Sequence, residues 1–289
     1  MKQLSIMGLG LMGASLAQAA RRRGLAERVH GYARREETRR AAVAAGMVDA
    51  AFDDPAAAVA GADLVVFCVP ILSMAPLAQA CRGGWTSGCV VTDVGSTKVE
   101  VCASMAAALS GSGAVFVGSH PIAGSDETGL EAAREDLYEG AVTVVTPMPE
   151  TPHAAVEAVS RLWQGVGSEV VARTPAEHDV LLAATSHLPH LAAAALIARI
   201  LDSGAADRGR FCGSGFRDTT RVAGGSEAVW DDIVRTNREA LARELSAFGD
   251  EVNRLAEWVR RGEFSEVRNY LARSRALRRA WRQPGGKGD

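Results

Sequence analysis

The feature that most constrains this chain is Gly8-Leu9-Gly10-Leu11-Met12-Gly13, set between the apolar run Gln3–Met7 and the alanine-rich segment Met12–Arg23. A Gly-x-Gly-x-x-Gly loop that ends a strand and opens a helix is the turn of a dinucleotide-binding βαβ unit. Gly8 permits the tight turn, Gly10 lets a pyrophosphate approach the backbone, and Gly13 lets the helix pack against the strand. The helix N-terminus adds amides without helical partners and the positive end of a dipole. Leu9, Leu11 and Met12 belong to the same cofactor loop.

The pattern downstream extends that unit into a sheet. Short β-branched runs near Arg28–Tyr32, Leu64–Val69, Cys89–Asp93, Val115–Gly118 and Val142–Thr146 alternate with helical segments such as Glu36–Ala45 and Lys98–Ala108. This alternation predicts a Rossmann-type, doubly wound parallel sheet. Val69 and Pro70, at the end of one such run, are assigned to the cofactor site as well. Pro147-Met148-Pro149-Glu150-Thr151-Pro152 punctuates the chain, and a helix at Ala154–Val166 with the short run Glu169–Val171 still belongs to the first domain. From Pro175 onward Ala176–Leu201, Trp230–Glu257 and Phe264–Trp281 each carry apolar residues at intervals of three and four. The expected division is a dinucleotide-binding domain over 1–172, an all-helical substrate and dimerisation domain over 173–283, and a disordered tail over 284–289. The helix through Ile233, Leu241, Leu245, Phe248, Val252 and Leu255 offers enough apolar surface to pair two copies into a homodimer, with packing inside one chain as the alternative.

The second strand ends on Tyr32-Ala33-Arg34-Arg35. A carboxylate at this point accepts the ribose 2′-hydroxyl of NAD and repels a 2′-phosphate. Ala33 removes the repulsion and Arg34 with Arg35 offers bidentate donors, which favours NADP over NAD. The alternative is that the two arginines are only the exposed start of a helix.

Composition narrows the class. With 47% hydrophobic and 23% charged residues and a net charge of −2, the 289 residues describe a globular protein without a nucleic-acid-binding or membrane-surface charge pattern. Five cysteines show neither zinc spacing nor the even count of a disulfide framework, so they are read as reduced, buried thiols. No signal-peptide pattern opens the chain, and the apolar stretch Leu188–Leu201 is interrupted and too short to span a bilayer, so the expected location is the cytoplasm.

Four further stretches place polar residues at element ends: Thr92-Asp93-Val94-Gly95-Ser96-Thr97-Lys98, Gly118-Ser119-His120-Pro121-Ile122-Ala123-Gly124-Ser125, Ser186-His187-Leu188-Pro189-His190, and the run from Gly213 to Gly225 that reads GSGFRDTTRVAGG. The first ends a strand and the second is read as a loop following one. Together with GLGLMG they resemble the prephenate/arogenate dehydrogenase family of tyrosine biosynthesis over nearly the whole chain.

The resemblance implies an NAD(P)-dependent oxidative decarboxylation of a 4-hydroxycyclohexadienyl ring. Its main form is prephenate to 4-hydroxyphenylpyruvate, and the alternative is arogenate to tyrosine. It implies that His120 accepts the hydroxyl proton, as a neutral imidazole is suited to do, and that Ser96 hydrogen-bonds the same hydroxyl. A cap for the helix beginning near Thr97 is the other reading of Ser96. Arg221 would hold a substrate carboxylate bidentately, with Asp218 orienting it, unless the two form only a structural pair. His187 and His190 would line the pocket. Their spacing also occurs in metal sites, but no acid or cysteine stands near them in sequence to complete one, and no metal is expected. Ser125 and Asp126 match pocket positions of the family, an exposed turn acid being the alternative for Asp126. Trp230 matches an aromatic near the pocket, with a place in the core as the simpler account.

Two other classes compete. A β-hydroxyacid-type dehydrogenase has a similar glycine loop but needs a lysine on a helix of its second domain, and the second half of this chain holds only Lys287. A nucleotide-sensing protein without catalysis would be expected to have lost His120 or Arg221, and both stand.

Overall fold

The computed structural model describes residues 1–124, 127–202 and 207–281. Six parallel strands, β1 (Gln3–Met7), β2 (Arg28–Tyr32), β3 (Ala50–Phe52), β4 (Leu64–Phe67), β5 (Val90–Asp93) and β6 (Val115–Phe116), pair in the order β3-β2-β1-β4-β5-β6. The order reverses direction between β1 and β4, and a doubly wound sheet opens its ligand crevice at such a switch point, beyond the strands' carboxyl ends. Helices α1 (Leu11–Arg22), α2 (Glu36–Ala44), α3 (Pro55–Val59), α4 (Ile71–Ala80) and α5 (Val99–Ala108) make the crossovers.

Burial explains why the strands read as continuous apolar runs. Along β4, Leu64 and Val66 enter a core with α1, Tyr138 and Trp163, while Val65 and Phe67 enter a second core on the opposite face with α4 and α5. Successive side chains point to opposite faces, and helices cover both, so β4 is apolar throughout, while Gln3 and Ser5 of β1 are buried with hydrogen bonds to the Ala60 and Ala58 carbonyls.

Three features differ from the expectation. β3 is a three-residue strand too short to signal itself. The run Val115–Gly118 splits: β6 closes the parallel sheet, and the chain then enters a second sheet made of β7 (Gly118–Pro121), β8 (Val142–Thr146) and β9 (Glu169–Ala172). β7 runs antiparallel to β8, with His120 opposite Val144. His120 therefore stands on a strand and not on a loop. Helix α6 (His153–Gly165) completes this region.

The chain forms two compact units, Met1–Leu182 with Gly224–Asn237, and Ala183–Ala223 with the segment from Arg238 onward. Residue 172, the expected domain boundary, is the last of β9, and by packing the helices Pro175–Leu182 and Glu227–Thr236 go with the first unit. Helix α7 (Pro175–Leu182) begins with a capping box, in which the Thr174 amide donates to Glu177 Oε2 at 2.8 Å and the Glu177 amide donates to Thr174 Oγ1 at 3.2 Å. It stays with the first unit because Asp179 accepts the amides of Lys98 and Val99 at 2.7 and 2.9 Å.

The second unit starts with a π turn, Ala183–His187, followed by α8 (Leu188–Leu201), α9 (Ser214–Thr220) and a 3-10 turn at Arg221–Gly224. Helix α10 (Glu227–Thr236) then returns to the first unit, placing Ile233 in the second core and Asp232 Oδ2 3.1 Å from the Leu72 amide. The helix expected to run unbroken from Trp230 to Glu257 is thus interrupted at Asn237, whose φ of −124° and ψ of 30° are not helical. The Asn237 side-chain amide donates to the Asp179 carbonyl at 2.8 Å, a bond that holds the break in place. Beyond it, α11 (Arg238–Arg261) and α12 (Phe264–Ala280) belong to the second unit.

Helical structure from Pro175 to Leu201 covers 27 residues, longer than the apolar stretch read from the sequence, and its length and composition alone would suffice for a bilayer span. Its Asp179 is instead spent capping α5. The disordered tail expected over 284–289 lies outside the described residues.

Candidate active site

A cleft of about 490 Å³ opens at the carboxyl ends of β1, β4 and β5. That size suits a small-molecule ligand. Gly10, Leu11 and Met12 form one wall and Val69 and Pro70 another, five of the residues assigned to the cofactor from sequence. Gly8 adopts a φ of +119°, and a Cβ there would stand 2.4 Å from the Cys68 carbonyl oxygen. Gly13 is held tighter still, with an added Cβ 1.9 Å from the Gly8 oxygen. Gly10 differs: nothing lies within 4 Å of an added Cβ. Two glycines serve the fold, and the third leaves room for a group that must touch the backbone. The open space beside Gly10 and the first-turn amides of α1 fit a dinucleotide pyrophosphate. Leu9 is buried and packs beneath the loop, where its side chain fills the space over Gly31.

At the end of β2, Ala33 is buried and its amide donates to the Phe52 carbonyl at 3.2 Å. Arg34 and Arg35 are exposed, Arg35 as the residue preceding α2. A third arginine escaped the sequence reading. Arg39 Nη1 donates to the carbonyls of Ala33 at 2.9 Å and Arg34 at 2.8 Å, and Nη2 meets Asp53 at 3.1 Å. It sits one turn into α2, so only the folded loop brings it back under Ala33.

Ser96 lines the cleft beside Val94 and Gly95. It does not cap α5, because that helix starts at Val99 and Asp179 takes the capping role. The next stretch is joined to this one through Asp93. Its carboxylate accepts the Gly95 amide at 2.7 Å, the Ser119 amide at 3.0 Å and the Lys98 ammonium, with Asp93 and Lys98 both wholly buried. Ser119 Oγ donates to the Asp93 carbonyl at 2.6 Å and accepts Trp163 Nε1 at 2.9 Å. The strand bearing His120 is thereby fixed to the end of β5, from which Ser96 enters the cleft. His120 Nδ1 lies 2.9 Å from His178 Nε2.

Asp93, Lys98, Ser119, His178 and Asp179 were not singled out from sequence. The available signal was the acidic and histidine-bearing stretch Glu177-His178-Asp179 at the head of an apolar helix. Trp230 is placed in the core side of α10, packed against the second core, and its neighbours Val229 and Asp232 line the cleft in its stead. Glu127 and Thr128 also line it and were likewise missed. Ser125 and Asp126 lie outside the described residues.

In the second unit, His187 ends the π turn and His190 follows on α8, and both are buried on one face. π turns interrupt helices preferentially where side chains are needed for function. Burial lowers the His190 pKa. Asp218 on α9 and Arg221 on the turn after it are exposed. Among the described residues no group of three histidines, cysteines or acids is arranged to hold a metal ion.

The sheet order, the glycine turn and the cleft at the switch point define a dinucleotide-binding protein of the doubly wound class. Comparison with known proteins is more specific. Residues 16–172 match the prephenate dehydrogenase nucleotide-binding domain and residues 174–273 the prephenate dehydrogenase dimerization domain. Prephenate dehydrogenase of Bacillus subtilis is 34% identical over 92% of this chain and 69% of its own. The crystal structure of Aquifex aeolicus prephenate dehydrogenase with hydroxyphenyl propionate and NAD+ superposes with a TM-score of 0.90 at 30% identity, over 96% of this chain and 97% of that one. Synechocystis arogenate dehydrogenase gives 0.82 at 30% identity, over 96% and 98%. The chain belongs to the prephenate dehydrogenase family and is an NAD(P)-dependent oxidoreductase.

Proposed function

We propose that the protein converts prephenate to 4-hydroxyphenylpyruvate by oxidative decarboxylation, with NADP preferred over NAD. The observation that carries the reading is the cofactor cleft with Ser96 in its wall, tied through Asp93 to the strand that bears His120. The nicotinamide, when bound, accepts the hydride from the hydroxyl-bearing ring carbon. The chain's own residues do the remainder. The amides after Gly10 hold the pyrophosphate, Val69 and Pro70 flank the cofactor's other half, and Arg34 with Arg35 takes the 2′-phosphate. His120 accepts the hydroxyl proton and Ser96 hydrogen-bonds the same oxygen. Loss of hydride and of the ring carboxylate as carbon dioxide leaves an aromatic product. Arg221, oriented by Asp218, is assigned to a substrate carboxylate, and His187 and His190 to the pocket lining, on the pattern GSGFRDTTR and SHLPH.

The Bacillus and Aquifex relatives support prephenate, and the NAD+ in the Aquifex structure supports a nicotinamide cofactor. A second reading, arogenate as substrate, is supported by the Synechocystis neighbour and by Arg34-Arg35. The protein acts as a homodimer joined through α11 and α12. Their exposed Phe248, Val252, Val259, Leu271 and Leu277 are apolar surface of the kind that pairing covers, and the dimerization-domain match covers this region up to residue 273. The deciding experiment is an assay of prephenate and arogenate, each with NAD and NADP. Turnover of prephenate with NADP at the highest kcat/KM is expected, and no turnover of either substrate would overturn the reading.

A further inference from the structure

A base that takes a hydroxyl proton must present a lone pair on one ring nitrogen, and which nitrogen does so depends on what the other is bonded to. The first unit settles this for His120 through two buried residues. His120 Nδ1 stands 2.9 Å from His178 Nε2, and His178 Nδ1 stands 2.8 Å from Asp179 Oδ1. His178 has no exposed surface and Asp179 has 4%. Asp179 Oδ1 and Oδ2 also accept the Lys98 and Val99 amides at the start of α5, so both oxygens act as acceptors there. The carboxylate oxygen that accepts the Lys98 amide accepts from His178 Nδ1 as well, and the ring of His178 then accepts at Nε2. His120 must in turn donate from Nδ1, which leaves its lone pair on Nε2.

We propose that His178 and Asp179 are positioning residues that fix the orientation and tautomer of His120 and share the charge that His120 acquires with the substrate proton. The inference rests on the reading of His120 as the base. When the substrate O–H bond breaks, the proton bonds to His120 Nε2; the resulting imidazolium is stabilised through Nδ1–H by His178, and beyond it by Asp179. No oxidant or further reactant enters this step.

The surroundings favour the relay. The groups facing His178 are Asp179 from its own helix, Lys98 from the head of α5, Asp93 from the end of β5, and His120 from β7. Burial first, and the Lys98 charge after it, lower the His178 pKa against the pull of Asp179, so the ring is neutral near pH 7 and acts as an acceptor. The Asn237 bond to the Asp179 carbonyl holds the same turn of α7 from the other side.

The test is a double-mutant cycle between His120→Asn and His178→Phe, read as kcat, KM, cofactor affinity and the pH profile of kcat. Phenylalanine keeps close to the ring's volume and leaves both amide bonds of Asp179 in place. In the wild-type background His178→Phe should lower kcat by roughly tenfold or more, a part of the roughly 10²–10⁴-fold that general-base help contributes, with KM and cofactor affinity within about twofold. Its acid limb should move to lower pH, because the imidazolium has lost its acceptor. In the His120→Asn background the same substitution should change nothing further, since residues acting as one unit are not additive. Equal losses in both backgrounds would mean a structural role and overturn the relay, as would near wild-type kcat in His178→Phe alone. Near wild-type turnover in His120→Asn would sink the base assignment itself and the relay with it. Asp179→Asn, which reverses the tautomer demand while keeping the volume, should also lower kcat. Thermal unfolding of that variant separates loss of the α5 cap from loss of the relay.

Discussion

Alanine at Gly10 and at Gly13, made separately, distinguishes a glycine held for the cofactor from one held for the fold. At Gly13 the added Cβ would stand 1.9 Å from the Gly8 carbonyl oxygen and 3.0 Å from Ile6 Cγ2, and Ile6 has no exposed surface. Neither neighbour is the loose end of a flexible side chain, so the substitution overpacks the turn, at about 1–3 kcal/mol. For a chain of this size that lowers the melting midpoint by roughly 3–10 °C. At Gly10 nothing stands within 4 Å, and φ −86° with ψ −165° is open to any residue. A gain of about 0.4–1 kcal/mol from the less flexible unfolded chain is offset by alanine's weakness at a helix N-cap, leaving stability within ~1 kcal/mol of wild type. Binding should respond in the opposite sense. A methyl beside the first-turn amides keeps a phosphate oxygen from its hydrogen bonds, and one such charged bond is worth ~1.5–3 kcal/mol. The cofactor Kd should therefore rise by roughly 10–150-fold. Thermal unfolding and calorimetric titration with NADP read the two effects separately. Cofactor binding within about twofold of wild type in Gly10→Ala would refute the argument, as would an unshifted melting midpoint in Gly13→Ala.

Three further outcomes are expected. Ala33→Asp places a carboxylate at the end of β2 and should move the kcat/KM ratio from NADP toward NAD by roughly tenfold or more; an unmoved ratio would count against the 2′-phosphate reading. His30, His178 and His190 all have pKa values lowered, chiefly by burial. Their folded values lie below the unfolded value of 6.5, so the unfolded chain binds more protons in that interval, and stability complete above about pH 6.5 is lost as the pH falls through it. A melting midpoint as high at about pH 5.5 as at about pH 7.5 would contradict this. Phe248→Glu on α11, where Phe248 is 44% exposed, should shift the sedimentation mass toward that of one chain, and an unchanged dimer would move the interface elsewhere.

The parts legible in the sequence were those written in local pattern. GLGLMG between a strand and a helix, the largely apolar runs of β1 and β4, and the alternation that follows them specify a parallel sheet with a cofactor turn, because strands buried on both faces are mostly apolar. Ser119–Pro121 reads as a loop following a strand, yet pairing with β8, remote in the chain, makes it part of a strand. Asn237 interrupts a helical pattern that is continuous in apolar spacing, for a reason that lies in Asp179, 58 residues earlier.

What the sequence determined by itself, then, is the class of ligand and the parallel sheet that carries its turn, since both follow from neighbours along the chain. What only the tertiary structure decided is which polar groups meet: Asp93 with Ser119 and Lys98, Arg39 with the carbonyls of the ribose loop, and His120 with His178 and Asp179. Most of these pairs join separate elements in buried surroundings, and the Arg39 contacts depend on how the loop folds back. A buried hydrogen bond or ion pair is fixed by where two backbones come to rest, a property of packing that leaves no periodicity in the chain.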